Sequence, residues 1–305
     1  MAGGGSVQHQ KSGKADFGHI YDCEDPREYF NTLGGMGYRA PHHGQRIFAR
    51  LLRERYGMDL LGERPSNGKT NGNGGSHGPV RIADLCCSYG INGALLKYDT
   101  TLEELYERYG SEELAKLSSE EMAAADREFY ASRLREDRPY TIGVDTAANA
   151  VSYARRSGAL DFGAAENLES EEPGEELRTE LAGLDLLTVT GGIGYIGERS
   201  FERVLDAVEG PAPWVAAVAL RWVDYSDISE TLARYGLKTR RLESQTFEQR
   251  RFADRDEKEY VCRELEKMDI DTTGKEREGS YHAYFYLSTP EEESIDVEEL
   301  LGGDF

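Results

Sequence analysis

The sequence predicts an α/β fold built on a doubly wound, mostly parallel sheet. Three observations predict it. Short apolar runs recur along the chain from residue 80 onward; helical patterns of about 10–15 residues separate them; and small residues or acids stand where the runs end. With 305 residues, 38% of them hydrophobic, there is enough apolar material for one large core.

Residues 1–14, rich in Gly, Ser, Gln and Lys, predict a loose tail, and 15–61 an N-terminal helical lid rich in Tyr. Between Gly62 and Gly78 the chain reads GERPSNGKTNGNGGSHG, so 62–79 predicts a flexible linker. Val80–Cys86 is the first strand, followed by a Ser-Tyr-Gly turn and a helix opening at Ile91. The segment 98–139 breaks the alternation as a helical insertion. Its capping boxes are Thr101 with Glu104 and Ser118 with Glu121, and Leu102, Leu105, Tyr106 and Tyr109 form one stripe. Tyr140–Asp145 is the next strand, and Thr146 is placed to cap a helix that stops at Gly158. A third strand ends at the loop Gly163–Leu168, and a fourth, Leu184–Thr190, runs into Gly191 and Gly192. Phe201, Val204, Leu205 and Val208 give the following helix its buried face, which Gly210 closes. Trp214–Val223 reads as the longest apolar strand. Ile228–Tyr235 is a helix, Lys238–Glu243 a polar strand and Tyr281–Ser288 an aromatic one, and 291–305 reads as an acidic, frayed tail.

Charge narrows the function. Thirty-six basic residues against 57 acidic ones leave −21, which repels phosphate backbones and excludes nucleic acid as the expected partner. No run of 18 apolar residues predicts a membrane span, and the first residues lack the apolar core of a secretory signal, so a cytoplasmic protein is expected. Four cysteines, two of them the neighbours Cys86 and Cys87, make neither a disulfide framework nor a zinc knuckle. His19, His42 and His43 lack metal-ligand spacing, and no metal is expected.

Ligands of open α/β sheets bind outside the carboxyl ends of the strands. Those ends carry Asp84-Leu-Cys-Cys-Ser-Tyr-Gly90, Gly143-Val-Asp145, Gly163-Ala-Ala-Glu166-Asn167 and Thr188-Val-Thr190-Gly191-Gly192. An acid ending the second strand can accept both hydroxyls of a ribose. A dinucleotide pattern would need Gly-x-Gly-x-x-Gly, which Cys86, Ser88 and Gly90 do not supply.

In this order the four ends resemble the class I S-adenosylmethionine (SAM)-dependent methyltransferases, over residues 80–290. The resemblance implies a seven-stranded sheet with an antiparallel last strand and SAM as cofactor. It puts Asp84 near the methionine end of SAM, Asp145 and Thr146 at the ribose, and Thr190 and Gly191 after the fourth strand. The turn that lies against SAM would be Cys86, Ser88 and Gly90, with two of three family glycines replaced. Ala164 stands where many relatives carry the adenine-binding acid, so Glu166 or Asn167 would substitute.

Methyl transfer needs alignment and exclusion of water more than a dedicated residue. For a small-molecule O or N acceptor, the candidates for a base or acceptor contact are His42, His43, Tyr195 and Arg221. Two alternatives stay open: an enzyme of this fold that transfers or cyclises the aminocarboxypropyl arm of SAM, and a non-catalytic partner protein.

Overall fold

The computed structural model describes residues 17–62 and 78–302. The 1–14 tail and nearly all of the 62–79 linker lie outside these residues. A 3-10 turn at Gly18–Ile20 precedes α1 (Arg27–Gly35) and α2 (Ala40–Tyr56). Then come β1 (Arg81–Leu85), α3 (Ile91–Lys97), α4 (Leu102–Tyr109), α5 (Ser119–Ala131), β2 (Tyr140–Asp145), α6 (Ala148–Ser157) and β3 (Phe162–Ala165). They are followed by α7 (Glu175–Leu181), β4 (Leu186–Thr190), α8 (Glu198–Ala207), β5 (Trp214–Leu220), α9 (Ser226–Arg234) and β6 (Leu237–Arg241). The last elements are β7 (Phe247–Arg251), α10 (Arg255–Lys267), β8 (Ser280–Pro290) and α11 (Val297–Leu301).

The strands join in the order β3-β2-β1-β4-β5-β8-β6, and β7 pairs with the first half of β8. β1 to β5 are parallel; β8 runs antiparallel between β5 and β6. Parallel strands are covered on both faces, so their sequences are continuous apolar runs, and every residue of β5 is buried. Alternation sorts its side chains. Val215, Ala217 and Ala219 meet α7, α8 and α9, whereas Trp214, Ala216 and Val218 meet α2 and α11.

The sheet has eight described strands, not the expected seven. The addition is β7, whose sequence FEQRR is too polar to read as a strand. The 15–61 segment also divides. Its last helix, α2, is no lid: Ile47, Phe48, Leu51 and Leu52 are buried against the sheet. Nor is the acidic C-terminal segment frayed over its described residues, 291–302. Val297 and Leu301 are buried in the α2 cluster, and Glu293 Oε2 accepts Trp214 Nε1 at 2.8 Å.

Both capping boxes form, at Thr101–Glu104 and Ser118–Glu121. The insertion packs with α1, α3 and α6 around Tyr89 and Tyr153. At its centre the fully buried Asp126 accepts Arg108 Nε and Nη2 (2.9 and 2.8 Å) and the hydroxyls of Tyr109 and Tyr153 (both 2.5 Å).

Candidate functional site

The loop after β1 holds the most unusual backbone in the chain. Cys86 has φ +57°, Ser88 +47° and Gly90 +73°, so two residues with side chains occupy the left-handed region that suits glycine. Gly90 has a steric reason as well: a Cβ there would lie 2.9 Å from Leu160 Cγ. The loop is tied down from the next strand. Ser88 N donates to Asp145 Oδ2 at 2.8 Å, and Cys87 N to Val144 O at 3.3 Å. Asp145 Oδ1 accepts Ala147 N at 3.0 Å, so this carboxylate organises the start of α6, while Thr146 is exposed and makes no cap. The cap of α6 comes from far away: Asp22 Oδ1 accepts Asn149 N at 2.7 Å.

Beneath the loop sits Asp84, buried. It accepts Thr188 Oγ1 at 2.7 Å and Asn92 Nδ2 at 3.2 and 3.1 Å, and Asn92 Nδ2 also reaches Thr190 Oγ1 at 3.0 Å. Burial pushes the Asp84 carboxyl up to about 7, aided by the charge of Asp145 and opposed by the Thr188 and Asn92 hydrogen bonds. No ion pair to Asp84 exists among the described residues. Asn92 Oδ1, on the side chain that bonds Asp84, and Ser88 Oγ, in the loop that follows β1, are buried without a hydrogen-bond partner.

A strap formed by the Gly18–Ile20 turn and its flanks crosses these loops. Tyr89 Oη donates to the carbonyls of Ile20 and Cys23, both at 3.2 Å, and Asn149 Nδ2 to that of Asp22 at 3.0 Å. Under the strap lies a cavity of about 40 Å³, lined by Phe17, Tyr21, Leu33, Tyr38, Gly191, Tyr195, Gln249 and Arg250. Burial raises the Tyr21 hydroxyl to about 12. Gly191 (φ +76°) makes room there, since a Cβ would lie 2.8 Å from Gln249 Nε2 and 3.4 Å from Tyr38 Oη. Gln249 and Arg250 reach the cavity because β7 carries a register shift between Glu248 and Arg250, a bulge that turns both inward. Arg250 is held by Glu257, with Nη2 to Oε1 at 2.7 Å and Nη1 to Oε2 at 3.0 Å.

Of the residues expected here, Asp84, Cys86, Ser88, Gly90, Asp145, Thr190 and Gly191 converge on one end of the sheet, and Tyr195 lines the cavity. Others are engaged elsewhere. Glu166 Oε2 accepts Gly174 N at 2.9 Å, at the start of α7, and Asn167 Oδ1 accepts Glu169 N at 3.0 Å within its own turn. Neither histidine lines the cavity. His43 Nε2 lies 2.9 Å from Glu248 O, which makes it a donor, and burial drops its ring to about 4. His42 faces Glu103 at 3.4 Å, and burial lowers it too. Arg221 is consumed by Glu276 (2.8 Å) and the carbonyl of Asp271 (2.7 Å), at the far end of α10. Sequence reading gave no role to Asn92, Thr188, Gln249 or Arg250. The first two stand within reach of the strand ends, but Gln249 and Arg250 left no signal. Among the described residues no group of three or more His, Cys, Asp or Glu could hold a metal, and no helix is long and apolar enough to cross a membrane.

A parallel sheet ordered 3-2-1-4-5, continued by an antiparallel strand inserted before the sixth, with an acid next to the last residue of β1 and an acid ending β2, decides the architecture. The fold is that of the class I SAM-dependent methyltransferases. The chain is similar to the solved structure of a TehB-like SAM-dependent methyltransferase from Corynebacterium glutamicum, with 12% identity over 69% of this chain and 81% of that one and a TM-score of 0.33. A SAM-dependent methyltransferase from Aquifex aeolicus matches at 10% identity over 68% and 81%, with a TM-score of 0.31. The plantazolicin methyltransferase BpumL in complex with SAH matches at 8% identity over 81% and 83%, with a TM-score of 0.36. No family model matches the sequence, and no curated protein matches it.

Proposed function

We propose that this methyltransferase-fold protein binds SAM and transfers its methyl group to a small-molecule O or N acceptor under the strap. One observation carries the reading: Cys86 and Ser88 keep the left-handed backbone of a ligand-cradling glycine loop although they are not glycine. Such strain costs about 1–3 kcal/mol per residue and persists where the conformation has a use. The residues fit the cofactor. Two orphaned buried polar atoms, Ser88 Oγ and Asn92 Oδ1, and one buried carboxyl with no cation, Asp84, await partners at the place where the methionine end would lie.

When bound, SAM supplies a methyl group on a sulfonium. Asp145 holds the ribose hydroxyls with the lone pairs that Ser88 N and Ala147 N leave free. Asp84 neutralises the methionine ammonium. Tyr21, Tyr38 and Phe17 exclude water, and Gln249 and Tyr38 orient the acceptor over Gly191. Ligand pockets run to roughly 300 Å³ and more, against about 40 Å³ here. Binding therefore requires the strap to lift.

Isothermal titration with SAM and with S-adenosylhomocysteine tests the reading. Micromolar binding of both is expected; binding of neither refutes it. Product analysis then separates methyl transfer, which leaves S-adenosylhomocysteine, from aminocarboxypropyl transfer, which leaves methylthioadenosine.

A further inference from the structure

We propose that the groove between the free edge of β3 and helix α6 binds an extended acidic peptide segment of a partner protein. This site is separate from the cavity under the strap and stands without the cofactor reading. The groove has a volume of about 550 Å³. β3 ends the sheet, with β2 as its one strand partner among the described residues, so its outer backbone groups are open to pairing. Gly163 and Ala165 of β3 form the strand side of the groove, with the space over Gly163 taken by the Val151 and Arg155 side chains of α6. A groove with an edge strand on one side and a helix on the other is the setting in which extended peptides add a strand.

Charge selects the peptide. The chain carries −21, and its buried or half-buried arginines are mostly paired with acids, as Arg81 is with Glu180, Arg108 with Asp126 and Arg250 with Glu257. Arg127, Arg155 and Arg156 rim the groove, are exposed, and form no ion pair among the described residues. Arg155 is held over the strand, because a Cβ at Gly163 would already lie 3.2 Å from its Cγ. One acid, Asp161, lines the groove, and it is spent on Lys97 Nζ (2.7 Å) and on the N and Oγ1 of Thr141 (2.8 and 3.0 Å). Arg155 lies over the Phe162 ring and Arg156 over that of Tyr153, but none of the three guanidinium groups has an acid partner among the described residues, and beside an open strand edge they suit carboxylates spaced along an extended chain.

The test is fluorescence anisotropy of the full chain with a fluorescein-labelled heptapeptide of alternating glutamate and valine. Saturable binding is expected, weakened about tenfold or more in the triple variant Arg127→Ala, Arg155→Ala, Arg156→Ala, whose melting temperature should match the parent. The same peptide N-methylated on alternate amides should also bind the unaltered protein about tenfold more weakly, because it cannot pair as a strand. This second arm needs no variant to fold. No binding at millimolar peptide, equal binding by the triple variant, or equal binding of the methylated peptide each overturns the proposal. Complete displacement by inorganic pyrophosphate, with the methylated peptide binding as well as its parent, would mark a simple anion site and overturn it too.

Discussion

Asp126 and Asp84 are both buried carboxyls, yet their surroundings are opposite. Asp126, at the junction of the insertion with α6, has a guanidinium and two tyrosine hydroxyls, all from helices packed around it. Asp84, at the end of β1, has one hydroxyl and one carboxamide, no cation, and an orphaned oxygen on the Asn92 side chain that bonds it. The first is a finished internal joint. The second has no cation among the described residues, which is why the proposed cofactor reading gives it the ammonium of the ligand.

The comparison can be broken at either end. Asp126→Ala carries the largest expected effect: it strands Arg108 and two hydroxyls and should cost about 3–5 kcal/mol in denaturant unfolding. A loss under 1 kcal/mol would show that the joint is dispensable. Asp145→Ala strands the N–H groups of Ser88 and Ala147 and should cost about 1–3 kcal/mol of stability, and in the folded variant it should weaken S-adenosylhomocysteine binding by roughly 1–3 kcal/mol, read by titration calorimetry; unchanged affinity would remove Asp145 from the site.

The third prediction turns on pH. The Asp84 carboxyl titrates near 3.8 when unfolded and at about 7 when folded. Its contribution to stability is therefore complete below about pH 4 and lost as pH rises through about 7. A cofactor ammonium reverses this preference, so SAM binding at pH 6 should release a proton from Asp84. Calorimetry in two buffers of different ionisation enthalpy should detect that proton in the parent and none in Asp84→Asn. Equal release from both would separate Asp84 from the ligand. The smallest effect belongs to Ser88→Gly, where relief of a left-handed side chain offsets the entropy of glycine. Stability should shift by less than about 1 kcal/mol; a larger loss would mean that the Ser88 hydroxyl has a structural partner.

Much of this was legible in the residues. β1, β2, β4 and β5 announce themselves because strands covered on both faces must be apolar throughout, and Asp84 and Asp145 stand where such strands end, whereas β3, Phe162–Ala165, takes in the first residues of what was expected to be a loop. What escaped has physical reasons. β7 is polar because its inward side chains, Gln249 and Arg250, line the cavity and Arg250 pairs with Glu257, and a bulge shifts them out of simple alternation. Thr146 resembled a helix cap, but capping depends on who arrives first in space, and Asp22 does so from 127 residues away. His42 and His43 look chemical in a one-dimensional reading, yet the turn of α2 delivers them to Glu103 and to the backbone of β7. The acidic composition of 291–305 hid the two apolar residues, Val297 and Leu301, that dock it.

The place of β8 has a consequence in time. β5 and β6 never touch through backbone ladders; each pairs with β8, which the ribosome makes about forty residues after β6 ends. Until β8 emerges, a growing chain holds a five-stranded sheet with a bare edge at β5 and a detached sixth strand. Such an edge is open to wrong pairing, and closing it needs contacts of long sequence separation, which form slowly. The step that joins the two parts of the sheet therefore waits for β8, and a chain stopped short of Ser280 would present β5 to its neighbours.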